Sequence, residues 1–121
     1  MNKTILIVDD EPNIVLSVEF LMKREGFEVL TAGDGQAAIE MLAASCPDLM
    51  ILDVMMPRKN GFEVCKEVRA DPALSGLPII LLSAKGREVE IAKGLSLGAD
   101  AYITKPFSTH ELVAQVKEML K

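Results

Sequence analysis

Asp9, Asp10, Asp53, Ser83 and Lys105 are the residues of this chain whose types could do chemistry together, and each stands where a short apolar run stops. Asp53 is the sharpest case: Leu49-Met50-Ile51-Leu52 ends abruptly on it, and Pro57 and Lys59-Asn60-Gly61 then mark a loop. Three carboxylates crowded together repel, so each resists ionising unless a cation joins them. With oxygen donors only, no His or Cys nearby and a need for open water positions, Mg²⁺ is favoured over Zn²⁺. Lys105 adds a fixed positive charge and Ser83 a hydroxyl that can donate to an anion. A carboxylate nucleophile takes a phosphoryl group as an acyl phosphate. Asp53 is best placed for that role, with Lys105 offsetting developing charge and catalysis left to positioning and electrostatics.

These residues meet only if the strands carrying them are parallel neighbours. Lys3 to Val8 reads as a buried strand ending at Asp9-Asp10-Glu11, with Pro12 suited to a helix's first turn. Ile14, Val15, Val18, Leu21 and Met22 form a helical stripe closed by Gly26. Phe27 to Ala32 is a less apolar strand, interrupted by Glu28, which suits a sheet edge. After the Asp34-Gly35 turn, a helix marked by Ala37, Ala38, Met41 and Leu42 closes near Cys46 and Pro47. Leu49 to Leu52, apolar without alternation, suits a strand covered on both faces. A helix from about Gly61 to Ala70, with Phe62, Cys65 and Val68 on one side, is broken by Asp71-Pro72. Leu77 to Leu82 is another apolar strand, ending at Ser83-Ala84-Lys85. A fourth helix, about Glu88 to Leu97, is expected to be weakened by Gly94 and closed by Gly98. Ala101 to Thr104 is the last strand, ending at Lys105-Pro106. Ser108 with Glu111 forms a capping box for the final helix, whose stripe is Leu112, Val116, Met119 and Leu120.

The strict alternation of strand and helix predicts an α/β fold: a flavodoxin-like, doubly wound, five-stranded parallel sheet in the order 2-1-3-4-5 with five helices. In such a sheet every strand's carboxyl end lies on one edge, which collects the chemical residues on one rim. With 121 residues, 1–121 reads as one domain, and no apolar run approaches the ~18 residues of a membrane span. No secretory leader is apparent, so a cytoplasmic protein without membrane contact is expected. The net charge of −5 argues against direct nucleic-acid binding, which needs clustered Lys and Arg. Cys46 and Cys65 lack metal-ligand spacing and read as packing residues. His110 reads as an exposed helical residue and Asp48 as a solvated turn residue at the wrong edge of the sheet. Taken singly, Asp10 could cap the first helix, Lys105 be a surface lysine and Tyr102 a half-buried strand aromatic; Asp9 and Asp53 together override those readings.

Asp9-Asp10, Leu52-Asp53-Val54-Met55-Met56-Pro57, Ser83-Ala84-Lys85, Gly98-Ala99-Asp100-Ala101-Tyr102 and Lys105-Pro106-Phe107, in this order and spacing, strongly resemble the receiver domain of two-component response regulators, chemotaxis regulators among them. The resemblance implies a phosphorylatable Asp53, with Asp9, Asp10 and the main-chain carbonyl of Met55 as further Mg²⁺ ligands. It implies that Ser83 and Tyr102 form a switching pair, that Lys105 contacts the phosphoryl group, and that the Lys105-Pro106 bond is cis. The donor would be a phosphohistidine on a sensor histidine kinase or histidine phosphotransfer protein. The backbone N–H of Ala84 would help hold the phosphoryl group. The signal would pass through the fourth helix, fifth strand and fifth helix to a partner or effector domain, with a phosphorylation-dependent dimer among the outcomes. Such a domain catalyses only its own phosphotransfer and slow dephosphorylation, and is not otherwise an enzyme.

Ser83 stands where threonine is frequent in the family, keeping the hydroxyl but losing a methyl that stiffens the rotamer. Met55 and Lys85 bring no carboxamide or carboxylate to orient an attacking water, so a slowly hydrolysing phosphoaspartate is expected. A haloacid-dehalogenase-like phosphatase would need a second Asp where Met55 stands. A flavin or nucleotide module would want a Gly-rich first turn where Asp9-Asp10-Glu11-Pro12 is acidic. A receiver that no longer takes phosphate would lack a key residue, and none is missing.

Overall fold

The structure, a computed structural model, describes residues 2–121. Its elements run β1 (Thr4–Val8), α1 (Pro12–Arg24), β2 (Glu28–Ala32), α2 (Gly35–Ala44), β3 (Leu49–Asp53), α3 (Gly61–Ala70), β4 (Ile79–Ser83), α4 (Glu88–Ser96), β5 (Ala101–Thr104) and α5 (Thr109–Met119). The strands form one parallel sheet in the order β2-β1-β3-β4-β5, as the alternation predicts. Every residue of β3 and of β4 is buried, the consequence of apolar runs without alternation. Glu28 and Thr31 of β2 are exposed, as befits an edge.

Successive strand side chains point to opposite faces, and this splits the core in two. Leu6, Val8, Met50, Leu52, Ile79 and Leu81 pack with Ala38 and Leu42 of α2 and with Val64, Cys65 and Val68 of α3. Ile5, Ile7, Leu49, Ile51, Ile80 and Leu82 pack with Val18, Leu21 and Met22 of α1 and Leu112 and Val116 of α5. Each fully buried aliphatic side chain of this kind contributes about 1.5–3 kcal/mol.

Several local devices differ from expectation. The full capping box lies at α3, where Asn60 accepts from the Glu63 N–H at 2.9 Å and Glu63 accepts from the Asn60 N–H at 3.0 Å. At α5 half the expected box forms, Ser108 Oγ accepting from the Glu111 N–H at 3.2 Å. Asp10 is not the cap of α1: Glu11 occupies that position and makes no side-chain cap bond. Asp48, exposed as expected, also accepts from the Thr4 N–H at 2.7 Å and so ties the start of β1 to the start of β3. Phe62 is only half-buried, while Val64 joins Cys65 and Val68 on the buried face of α3.

Gly94 has a packing role besides the weakening expected of it. A Cβ there would lie 2.6 Å from Leu81 Cδ1 and 3.0 Å from Tyr102 Cδ2, so glycine lets α4 approach β4 and β5 closely. Arg69 clamps the opposite, amino-terminal edge of the sheet, donating to the carbonyls of Gly98 and Leu77 at 2.8 and 2.7 Å and pairing with Asp100 at 3.0 Å.

Candidate functional site

The register sets the rim. Val8 pairs with Leu52 and Asp53 with Leu82, while Ser83 pairs with Thr104, so β1, β3, β4 and β5 end side by side. Asp9 extends the β1 ladder by donating its N–H to the Ala32 carbonyl at 3.2 Å, and its Oδ1 accepts from the Glu11 N–H at 2.9 Å. These two bonds fix the Asp9 carboxylate. Asp53 is held from the other side, because the Gly61 N–H donates to the Val54 carbonyl at 2.9 Å and brings α3 against the strand end. A Cβ on Gly61 would fall 2.4 Å from the Asp53 carbonyl oxygen, so a larger residue would push the strand end away.

All the sequence-predicted rim residues converge. Asp9 and Asp53 are each 3% exposed and Ser83 is fully buried, while Asp10 is exposed. Carboxylate oxygens of Asp9, Asp10 and Asp53 lie within 4.8 Å of one another. Lys105 Nζ is 2.9 Å from Asp9 and 3.5 Å from Asp53. Its backbone N–H donates to the Ser83 carbonyl at 2.7 Å, and the Lys105-Pro106 bond is cis, as the resemblance implied. Ser83 Oγ accepts from the Lys85 N–H at 3.1 Å, and its hydroxyl also faces that of Tyr102. The Tyr102 hydroxyl donates to the Lys85 carbonyl, tying the loop after β4 to β5.

Glu11 is a rim residue the sequence reading passed over: its Oε1 lies 3.4 Å from Lys105 Nζ. The signal was the third acid of Asp9-Asp10-Glu11, but whether a flexible, exposed glutamate reaches inward depends on the partner opposite.

Electrostatics follow from this crowding. Burial, then the neighbouring Asp9 charge, pushes the Asp53 carboxyl up from an ordinary 3.8 to about 6, although Lys105 and the Met55 backbone N–H pull it back. Burial pulls Lys105 down, but Asp9, Asp53 and Glu11 outweigh it and leave the ammonium above its usual range. Burial likewise raises the Tyr102 phenol, with the Ser83 hydroxyl partly offsetting it. The rim therefore holds more negative charge than Lys105 alone can balance. An all-oxygen, carboxylate-rich cluster with an unmet need for positive charge fits a hard divalent cation.

Comparison with known proteins agrees with this arrangement. The family model for the response regulator receiver domain matches residues 5–117. The alkaline phosphatase synthesis transcriptional regulatory protein PhoP of Bacillus subtilis (strain 168) is 46% identical over 121 residues, which cover 100% of this chain and 50% of that protein. The chain thus spans about half the length of that curated relative. A candidate response regulator from Chloroflexus aurantiacus J-10-fl superposes with a TM-score of 0.95 at 37% identity, covering 99% of this chain and 98% of the other. The chemotaxis protein CheY4 of Vibrio cholerae gives 0.92 at 30% identity, covering 98% and 99%. The BeF3-activated DrrB receiver domain gives 0.90 at 31% identity, covering 99% and 98%.

Proposed function

From the premise that this chain belongs to the response regulator receiver domain family of two-component signalling, we propose that Asp53 accepts a phosphoryl group from a partner phosphohistidine and that the domain relays its presence as a change of surface. The observation that carries this is a buried Asp53 beside two further carboxylates and 3.5 Å from the Lys105 ammonium. An Asp53 oxygen attacks phosphorus as the P–N bond to the donor imidazole breaks, and the neutral imidazole leaves with a proton from solvent. Lys105 balances charge on the transferring group, while Asp9 positions Lys105 through their 2.9 Å bond. Asp9, Asp10, Asp53 and the Met55 carbonyl would hold Mg²⁺, which supplies charge neutralisation when bound.

The phosphoryl oxygens then take donors from Ser83 Oγ, the Ala84 N–H and Lys105. Reversing a two-state equilibrium from mostly off to mostly on takes about 5.5 kcal/mol. Charge-assisted bonds contribute roughly 1.5–3 kcal/mol each, so these donors suffice together and none does alone. Withdrawal of Ser83 toward the phosphoryl group removes the acceptor of the Lys85 N–H and disturbs the loop that Tyr102 holds. The face formed by α4, β5 and α5 carries the change to a partner, an effector domain or a second copy. The Bacillus subtilis relative is by name a transcriptional regulator; in an equivalent role for this acidic domain, DNA contact would fall to an effector. The chain turns over no second substrate beyond its own slow dephosphorylation. Among the described residues no helix is long and apolar enough to cross a membrane, and we place the domain in the cytoplasm with its kinase or phosphotransfer partner.

Beryllium fluoride, a tetrahedral stand-in for a carboxylate-bound phosphoryl group, tests the site. With Mg²⁺ it is expected to raise the melting temperature of the wild type and leave Asp53→Asn unmoved. Equal shifts in both proteins would overturn the assignment.

A further inference from the structure

Between the loop after β3 and the first turns of α4 lies a groove of about 410 Å³ to which none of Asp9, Asp10 and Asp53 contributes. Met55 and Val89, which line it with Phe62, are 54% and 66% exposed and count among the few large apolar side chains left in solvent. The charges run against the chain's net −5. Lys85 and Lys93 border the groove, whereas Arg87 and Glu90 pair with each other at 2.9 Å. Lys93 lies 4.8 Å over the Phe62 ring, so its ammonium is held on the wall. Glu90 Oε2 is closed off from solvent and has no hydrogen-bond partner among the described residues. Arg87 keeps that carboxyl below its usual range and therefore charged.

We propose that this groove docks an acidic, apolar-containing peptide segment of a partner protein. The segment's apolar side chain would cover Met55, Phe62 and Val89, and its carboxylates would meet Lys85 and Lys93. Lys85 and Lys93, which form no ion pair among the described residues, favour an acidic partner over a basic one. The volume falls within the range of established ligand pockets. Because the Tyr102 hydroxyl holds the Lys85 carbonyl, the cationic lip is anchored to β5 rather than free to swing away.

A displayed library of random dodecapeptides, selected on the wild-type chain, tests this. Enriched peptides are expected to be acidic with an interspersed apolar residue. By fluorescence anisotropy the best of them should bind Lys85→Glu/Lys93→Glu at least tenfold more weakly and lose affinity as salt rises. Both lysines are exposed, so the doubly substituted chain should remain cooperatively folded, its melting temperature lowered only by the loss of the Lys93–Phe62 contact. Docking here does not depend on phosphotransfer: Asp53→Asn, without any phosphodonor, should bind the same peptide as well as the wild type. Enrichment of basic or uncharged peptides, affinity that survives the charge reversal, or no enrichment would overturn the proposal.

Discussion

Replacing Asp53 by Asn should stabilise the metal-free protein at neutral pH, although it destroys the candidate phosphoacceptor. The Asp53 carboxyl sits at about 6 in the folded chain against an ordinary 3.8, burial being the first cause and Asp9 the second. At 1.36 kcal/mol for each tenfold change, that rise corresponds to about 3 kcal/mol favouring the protonated form. Water reaching the rim beside exposed Asp10 reduces the figure to about 2 kcal/mol. The direction follows from proton binding. Between pH 4 and 6 the folded chain holds this proton more tightly than the unfolded chain does, so stability falls as pH climbs through that window. Above it the ionised rim costs its full amount. Asn carries no charge to desolvate, so urea unfolding of metal-free Asp53→Asn at pH 7.5 should show a gain of about 2 kcal/mol, or roughly 6–10 °C in melting temperature. At pH 4 the gain should vanish. A variant no more stable than wild type at pH 7.5, or equally stabilised at both pH values, would refute the idea that buried carboxylate charge is what strains this rim.

Four further outcomes are expected. Lys105→Met leaves the Asp9 and Asp53 charges without their partner and should cost the metal-free protein about 2–3 kcal/mol in urea unfolding, with Mg²⁺ restoring part of the loss. Gly94→Ala drives a methyl against Leu81 and Tyr102 and should cost about 1–3 kcal/mol, whereas exposed Ala92→Gly on the same helix should cost no more than about 1 kcal/mol. Met55→Asn with Lys85→Glu supplies groups that can orient water, so radiolabel should leave the phosphorylated double variant several-fold faster than the wild type. Tyr102→Ala should accept phosphate at a wild-type rate but lose the phosphorylation-dependent part of partner binding in a pull-down with the purified partner.

Much of this site was legible because parallel topology turns a statement about strand ends into a statement about one rim. Leu49 to Leu52 and Ile79 to Leu82 could be little but buried strands, and the residues that stop them are Asp53 and Ser83. What stayed illegible depends on approach distances and on flexible side chains. Gly94 looks like a helix weakness until Tyr102 and Leu81 are seen against it. Glu11 looks like a loop acid until Lys105 is found opposite. The Asn60/Glu63 box carried an ordinary sequence signal that the neighbouring Lys59-Asn60-Gly61 turn obscured. Arg69 gave no signal at all, since its partners, main-chain carbonyls and the Asp100 carboxylate, are brought together only by the fold.

Intact-mass measurement after incubation with acetyl phosphate and Mg²⁺ tests the phosphoacceptor most directly. A gain of one phosphoryl group in the wild type, absent from Asp53→Asn and strongly reduced in Lys105→Met, is the expected result. No gain in the wild type, or the same gain in Asp53→Asn, would contradict the assignment of Asp53.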